Sequence, residues 1–202
     1  CVVEYGGKYS GSSLLTIHGA SYINQCTIRY NQGSAVAGSL WPDWDSQDSH
    51  PVKITDSTIT QNSGSAIYTT RNATITGNTI VNNDSHGIFT GGLTENSTTT
   101  ISNNTITNNV GSGVTIRVDE SSIFIVNENL IADNNDGIVV DSQGGPHPNS
   151  IPIVTITSNS IINNDRGIAI QVNCCGDPVT ISITDNTIAN STGSEVHVGD
   201  GY

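Results

Sequence analysis

The stretches ITGNTIVNNDSHGI (residues 75–88) and ISNNTITNNVGSGV (residues 101–114) repeat nearly one pattern, with asparagine at the same places. In both, isoleucine or valine alternates with small polar residues over only two or three positions. Alternation at period two is typical of a short β-strand. Neither stretch has the 3.6-residue periodicity of an amphipathic helix. The pattern therefore predicts a protein built from very short strands.

The same pattern occurs seven times along the chain. The other copies are INQCTIRYNQGSAV (23–36), ITDSTITQNSGSAI (54–67), VNENLIADNNDGIV (126–139), ITSNSIINNDRGIA (156–169) and ITDNTIANSTGSEV (183–196). Successive copies begin between 21 and 31 residues apart. A repeat of this length, with uneven spacing, is typical of a solenoid.

Each copy contains three apolar positions in a fixed order, and the third follows a small residue. Equivalent strands of successive coils would pair in parallel, about 4.8 Å apart. We therefore expect an all-β solenoid of about seven to eight coils with three short strands per coil. It forms a single domain over 1–202, with an incomplete first coil in 1–22, repeats over 23–198 and a tail at 199–202.

The repeats also predict what fills the interior. Ile80, Ile106, Ile131 and Ile161 occupy equivalent positions and are expected to stack in one buried column. Asparagines fall at two turns of each coil. The first set is Asn78, Asn104, Asn129, Asn159 and Asn186, and the second is Asn62, Asn83, Asn109, Asn134 and Asn164. Asparagine tolerates a left-handed backbone, and stacked copies are expected to hydrogen-bond in an asparagine ladder.

These NTIxNN…GI repeats resemble those of right-handed parallel β-helix proteins of the pectate-lyase-like superfamily, in particular the NosD-like and carbohydrate-binding β-helix repeats. The resemblance covers residues 23–198. It implies a right-handed parallel β-helix. Because this scaffold carries lyases, hydrolases, epimerases, adhesins and spike proteins, the resemblance predicts the fold and leaves the function open.

Charge narrows the classes of partner. The chain has 6 basic and 18 acidic residues, a formal net charge of −12. Such a charge repels a phosphate backbone, so a nucleic acid partner is not expected. No apolar run approaches the roughly 18 residues of a membrane span. Glycans and cations fit the composition better, and no cofactor is expected apart from a candidate Ca²⁺.

Cysteines and sequons indicate an extracellular or cell-surface protein. Cys1 and Cys26 lie one coil apart and are candidates for a disulfide, whereas Cys174 and Cys175 form either a vicinal disulfide or a bond to another chain. The candidate glycosylation sites are Asn72, Asn83, Asn96, Asn103 and Asn190. The turn positions of Asn83 and Asn103 make these two less accessible. The chain contains no methionine, which indicates a processed or excerpted product.

Insertions concentrate at the connection from the third strand of one coil to the first strand of the next, and are expected to emerge along one edge of the solenoid. We call this the loop edge. Its candidate ligand-binding residues are Trp41, Asp43, Trp44, Asp45, Asp48, Asp119, Glu120, Asp141 and His147. The two tryptophans are suited to stacking on sugar rings, and the aspartates of segment 41–48 to binding Ca²⁺.

No catalytic residues are predicted. Asp84 with His86, and Asp165 with Arg166, precede third strands, but the two pairs lie three coils apart, roughly 14 Å, which is too far to act on one bond. A carboxylate pair such as Asp119 or Glu120 with Asp141 stays open.

The leading hypothesis is a glycosylated structural subunit of an extracellular fibre, assembled with itself by end-to-end stacking. The alternative is a polysaccharide-binding or polysaccharide-degrading module that uses the loop edge. A third reading is ice binding by outward threonines at Thr55, Thr76, Thr157 and Thr184.

Overall fold

A computed structural model describes residues 1–5, 15–17, 21–38, 51–70, 72–91, 97–118, 121–142, 151–172 and 179–200. Every regular element within these ranges is a β-strand, and the strands form three parallel sheets. No helix in the described part of the chain is therefore available to cross a membrane.

Each coil passes through the three sheets in the same order. Sheet A contains β1 (Val2–Glu4), β4 (Thr27–Arg29), β7 (Thr58–Thr60), β10 (Thr79–Val81), β13 (Thr105–Thr107), β16 (Leu130–Ala132), β19 (Ser160–Ile162) and β22 (Thr187–Ala189). Sheet B contains β2 (Leu15–Ile17), β5 (Val36–Gly38), β8 (Ile67–Thr69), β11 (Ile88–Thr90), β14 (Val114–Arg117), β17 (Asp136–Asp141), β20 (Arg166–Val172) and β23 (Val196–Asp200). Sheet C contains β3 (Ser21–Asn24), β6 (Val52–Thr55), β9 (Ala73–Thr76), β12 (Thr98–Ser102), β15 (Ile123–Asn127), β18 (Ile153–Thr157) and β21 (Thr180–Thr184).

All strand pairs are parallel and join successive coils, which confirms the predicted solenoid with three strands per coil. The predicted isoleucine column is also confirmed. Ile80 pairs with Ile106, Ile106 with Ile131, and Ile131 with Ile161. All four are completely buried. Parallel columns from sheets B and C complete one continuous apolar interior.

Two asparagine ladders run along this interior. In each, the side-chain Nδ2 donates to the Oδ1 of the equivalent asparagine in the next coil, at 2.6 to 3.3 Å. The ladder members are the predicted asparagines with Asn31 added at the start of the second ladder. Each amide also donates to backbone carbonyls, so the buried turns keep their polar groups satisfied.

The reason given for these asparagines was wrong in one respect. The left-handed residue is the one before each ladder asparagine, as in Asn103 (φ 55°) before Asn104 and Asn108 (φ 56°) before Asn109. That residue bends the chain where it leaves a strand, and the asparagine that follows it points inward. Inward asparagines are selected for hydrogen bonding, whereas the left-handed position accepts several polar residues and even Tyr30.

Close approach of coils explains the glycines at 87, 113, 137 and 167. A Cβ on Gly113 would lie 2.5 Å from Ile131 Cγ2 and 2.8 Å from the carbonyl oxygen of Gly137. Backbone of the next coil occupies that space, so a side chain there would force the coils apart.

The first ladder begins at a disulfide. Cys1 is bonded to Cys26, and the Cys26 N–H donates to Ser57 Oγ at 3.1 Å. The Ser57 N–H in turn donates to Asn78 Oδ1 at 3.0 Å. The disulfide and a serine therefore occupy, in the first coils, the column that asparagines fill further along. Cys174 and Cys175 lie outside the described residues.

Candidate functional site

Each variable connection follows a strand of sheet B and precedes a strand of sheet C. Of the predicted ligand-binding residues there, Asp141 is described. It ends β17, directly beside Arg117 of the preceding coil and Gln171 of the following coil. The remaining predicted residues lie outside the described part of the chain: Trp41, Asp43, Trp44, Asp45, Asp48, Asp119, Glu120 and His147. Their proposed contacts with sugar or Ca²⁺ stay predictions.

The outer face of sheet C borders the loop edge and carries two columns of short polar side chains. The first column is Tyr22, Lys53, Thr74, Thr100, Ile125, Thr155 and Ser182, and the second is Asn24, Thr55, Thr76, Ser102, Asn127, Thr157 and Thr184. All except Lys53 and Ile125 carry a hydroxyl or an amide. Neighbours bond along the column, as Ser102 Oγ does to Thr76 Oγ1 at 3.2 Å. Apart from Lys53, the two columns therefore form an extended, uncharged surface that is rich in hydrogen-bonding groups.

A groove of about 390 Å³ lies at one end of this face, lined by Ser21, Tyr22, Pro51 and Lys53. Tyr22 is 61% exposed, and Lys53 Nζ sits 5.4 Å from the centre of its ring. The Tyr22 hydroxyl lies 3.3 Å from Thr55 Oγ1, which holds the ring in place. Pro51 ends the connection 37–51, so the groove lies where the tryptophan-containing segment rejoins the sheet. This groove is a candidate site for a ligand.

Sequence reasoning missed Tyr22 and Lys53. A signal for them exists in the repeats, because both residues occupy a position that holds threonine in several later coils. Most coils carry a short side chain at this outward position, so a bulky or charged side chain there indicates that the surface has different binding properties.

A second polar cluster lies on the outer side of sheet B. One column on four successive coils holds His86, Ser112, Asp136 and Arg166. The Gly87 N–H donates to the Ser112 carbonyl and the Gly113 N–H to the Asp136 carbonyl, which aligns the first three of these coils. Asp136 pairs with Arg166 in the register of β17 and β20. Arg166 holds Asp136 with two hydrogen bonds, Nε to Oδ1 at 2.7 Å and Nη2 to Oδ2 at 2.9 Å. Asp136 is buried, so its carboxylate is neutralised rather than available to a ligand.

Arg166 therefore forms its ion pair with Asp136 of the preceding coil. Asp165 Oδ1 instead accepts a hydrogen bond from Thr192 Oγ1 at 2.8 Å, one coil further on. The cause is turn length. In one coil the turn from the ladder asparagine to the glycine before the third strand covers residues 109–113. In the next two coils the same turn covers 134–137 and 164–167, so it is one residue shorter. The shorter turn brings Asp136 and Arg166 onto the strands, where β17 and β20 begin.

His86 is the half-buried titratable group of this column. The Ser112 N–H donates to His86 Nδ1 at 3.2 Å, and Thr115 Oγ1 lies 3.2 Å from the same nitrogen. The neutral ring therefore carries its proton on Nε2. Burial lowers the pKa of His86, and the Asp136 carboxylate opposes this change. Aromatic neighbours complete the surroundings, since Phe89 packs against His86 and stacks on Tyr68.

The lowered pKa of His86 predicts a pH-dependent stability. The unfolded chain binds a proton near the ordinary pKa of 6.5, whereas the folded chain does so only at lower pH. The contribution of His86 is therefore complete above about pH 6.5 and is lost as pH falls toward the folded pKa. We expect the midpoint of urea unfolding to drop less between pH 7.5 and pH 5 in His86→Gln than in the parent protein. Equal drops in both proteins would contradict this assignment.

The sequons differ in accessibility. Asn83 is completely buried in the second ladder, and its Nδ2 donates to Asn109 Oδ1 at 2.9 Å and to the Ile59 carbonyl at 3.2 Å. Its amide is therefore unavailable for glycosylation in the folded chain. Asn103 is exposed at a left-handed position, so the expectation that its turn makes it less accessible was wrong. Asn190 is also exposed at a left-handed position, and Asn72 is half-buried with its Oδ1 accepting the Thr98 N–H. Asn96 lies outside the described residues.

Among the described residues, no group of three or more histidine, cysteine, aspartate or glutamate side chains is placed to hold a metal ion. The groove itself is lined by hydroxyl, aromatic, imino-acid and ammonium groups. Its described lining offers a ring face, a cation and hydrogen-bonding groups. The arrangement is suited to binding.

Comparison with known proteins agrees with the fold. No curated protein matches the sequence significantly. The A-module of a mannuronan C-5 epimerase from Azotobacter vinelandii is structurally similar, with a TM-score of 0.51 and 13% sequence identity. The match covers 91% of this chain and 58% of that module, and identity this low shows the fold alone. The family model of the right-handed beta helix region matches residues 11–171, most of the sequence. The chain therefore belongs to the right-handed β-helix family.

Proposed function

We propose that this protein binds a polysaccharide along the outer face of sheet C, with one end of the glycan in the groove at Tyr22. The observation that carries the proposal is an exposed tyrosine ring at the end of two columns of hydroxyl and amide groups. Sugar rings stack on aromatic faces, and sugar hydroxyls hydrogen-bond to groups of this kind. The coil repeat of about 4.8 Å offers such groups at regular intervals along an extended chain.

Two further facts support this proposal. The structurally similar A-module belongs to a mannuronan epimerase, so the same fold occurs in a protein that acts on a polysaccharide. The sheet C face also borders the loop edge, where the sequence predicts sugar-stacking tryptophans. This favours the carbohydrate-related alternative over the fibre role that led the sequence-based expectations. End-to-end stacking, the extracellular location and glycosylation stay predictions.

Removal of the tyrosine ring tests the site. We expect Tyr22→Ala to weaken binding of a soluble neutral polysaccharide by about tenfold, the equivalent of roughly 1.4 kcal/mol, because a stacking face is lost. Affinity electrophoresis against a panel of neutral glucans, mannans and galactans would first identify a ligand, and titration calorimetry would then give the affinities.

Tyr68→Ala is the matched control. Tyr68 also lies in the middle of a strand and points outward, but it belongs to sheet B, where its ring stacks on Phe89 at 5.1 Å. We expect this variant to bind like the parent protein. Equal losses of affinity in the two variants would show that binding does not depend specifically on the sheet C face. A loss of affinity in Tyr68→Ala alone would show that the glycan binds to sheet B.

A further inference from the structure

Lys53 differs from Arg29 and Arg166 in its surroundings. Arg29 pairs with Glu4 at 2.9 Å, and Arg166 pairs with Asp136 at 2.7 Å. Lys53 has no carboxylate of the described residues within ion-pair distance, and its ammonium group instead lies over the Tyr22 ring. It also lines the groove, so a positive charge faces the position assigned to the end of the glycan.

From this we infer that the groove selects a glycan with a single anionic group, a carboxylate or a sulfate, at the sugar that stacks on Tyr22. The inference rests on the proposed function and specifies its ligand. An ammonium group beside a ring face matches a sugar ring that carries one negative substituent. The ring stacks on Tyr22, and the substituent approaches Lys53 Nζ.

The rest of the surface limits how much negative charge the ligand carries. The chain has a net charge of −12, and the columns beyond Lys53 on sheet C are uncharged. Each additional anionic sugar would meet repulsion from the protein, and the described columns beyond Lys53 hold no cation to offset it. The site therefore favours one acidic residue on an otherwise neutral chain, and it disfavours a polyanion.

The expected preference is modest. Lys53 is exposed, and an exposed ion pair contributes little because water and salt screen it. We expect a singly acidic oligosaccharide to bind about two- to fivefold more tightly than its neutral equivalent at low salt. The difference should shrink as ionic strength rises.

Four oligosaccharides of one length and backbone test the inference: neutral, with one terminal uronate, with one terminal sulfate, and fully acidic. Titration calorimetry at low and high salt gives the affinities. We expect both singly acidic ligands to bind more tightly than the neutral one, and the fully acidic ligand to bind most weakly. A preference for only one of the two singly acidic ligands would identify whether carboxylate or sulfate is the group recognised.

Lys53→Gln should abolish the preference, so that the ratio between the affinities for singly acidic and neutral ligands, measured on this variant, falls to about one. Arg29→Gln is the control, since it removes the same charge from sheet A and should retain the preference. If wild-type protein binds neutral and singly acidic ligands equally, or if Lys53→Gln keeps the preference, the inference is wrong and the proposed function stands. If no glycan binds, both are wrong.

Discussion

Replacing Ile106 by asparagine is expected to lower the free energy of unfolding by about 4 kcal/mol or more. Ile106 is completely buried between Ile80 and Ile131, and its Cγ2 fills the space over Gly87. The substitution removes apolar volume that the stacked coils cannot close. It also places an amide where the neighbours are isoleucine side chains, so part of its hydrogen bonding is lost.

Urea unfolding followed by circular dichroism measures this effect, with two controls in the same strand. Ile106→Val keeps the apolar character and should cost about 0.5–1.5 kcal/mol. Thr107→Asn changes an outward position and should stay within about 0.5 kcal/mol of the parent protein. If Ile106→Asn unfolds at the same urea concentration as Thr107→Asn, Ile106 does not lie in the interior and the strand register is wrong.

The second large effect is expected in a ladder. Asn109→Leu should destabilise the protein by several kcal/mol, because each buried polar group left without a partner costs about 1–3 kcal/mol. Asn109 Oδ1 accepts both the backbone N–H and the Nδ2 of Asn83, at 3.1 and 2.9 Å. Asn109 Nδ2 donates to the Ile80 carbonyl at 3.3 Å and to Asn134 Oδ1 at 3.0 Å. Leucine has a similar size but replaces none of these bonds.

Asn108→Gly is the control for the ladder, and it should have the opposite sign or none. Asn108 is exposed at φ 56°, a conformation that glycine adopts without strain. Thermal and urea unfolding of both variants would separate an inward asparagine that bonds from an outward one that turns the chain. Similar destabilisation by the two substitutions would contradict the ladder geometry.

The repeated pattern alone determined the fold. Period-two alternation and uneven repeats predict short parallel strands, and the isoleucine column from Ile80 to Ile161 was placed correctly. The physical reason is that each coil contacts only its neighbours, so the same strand register repeats along the chain. Each copy of the repeat therefore indicates the register independently. The asparagine ladders follow from the same repetition.

Only the tertiary structure determined which side chains meet where a coil departs from the repeat. Turns shortened by one residue move Asp136 and Arg166 onto adjacent strands, and the resulting ion pair cannot be read from neighbours in sequence. The groove at Tyr22 and Lys53 likewise joins residues from different coils. Stacking in a solenoid places residues 20 to 35 positions apart side by side, so a site is defined by register between coils, and a single irregular turn changes which side chains meet.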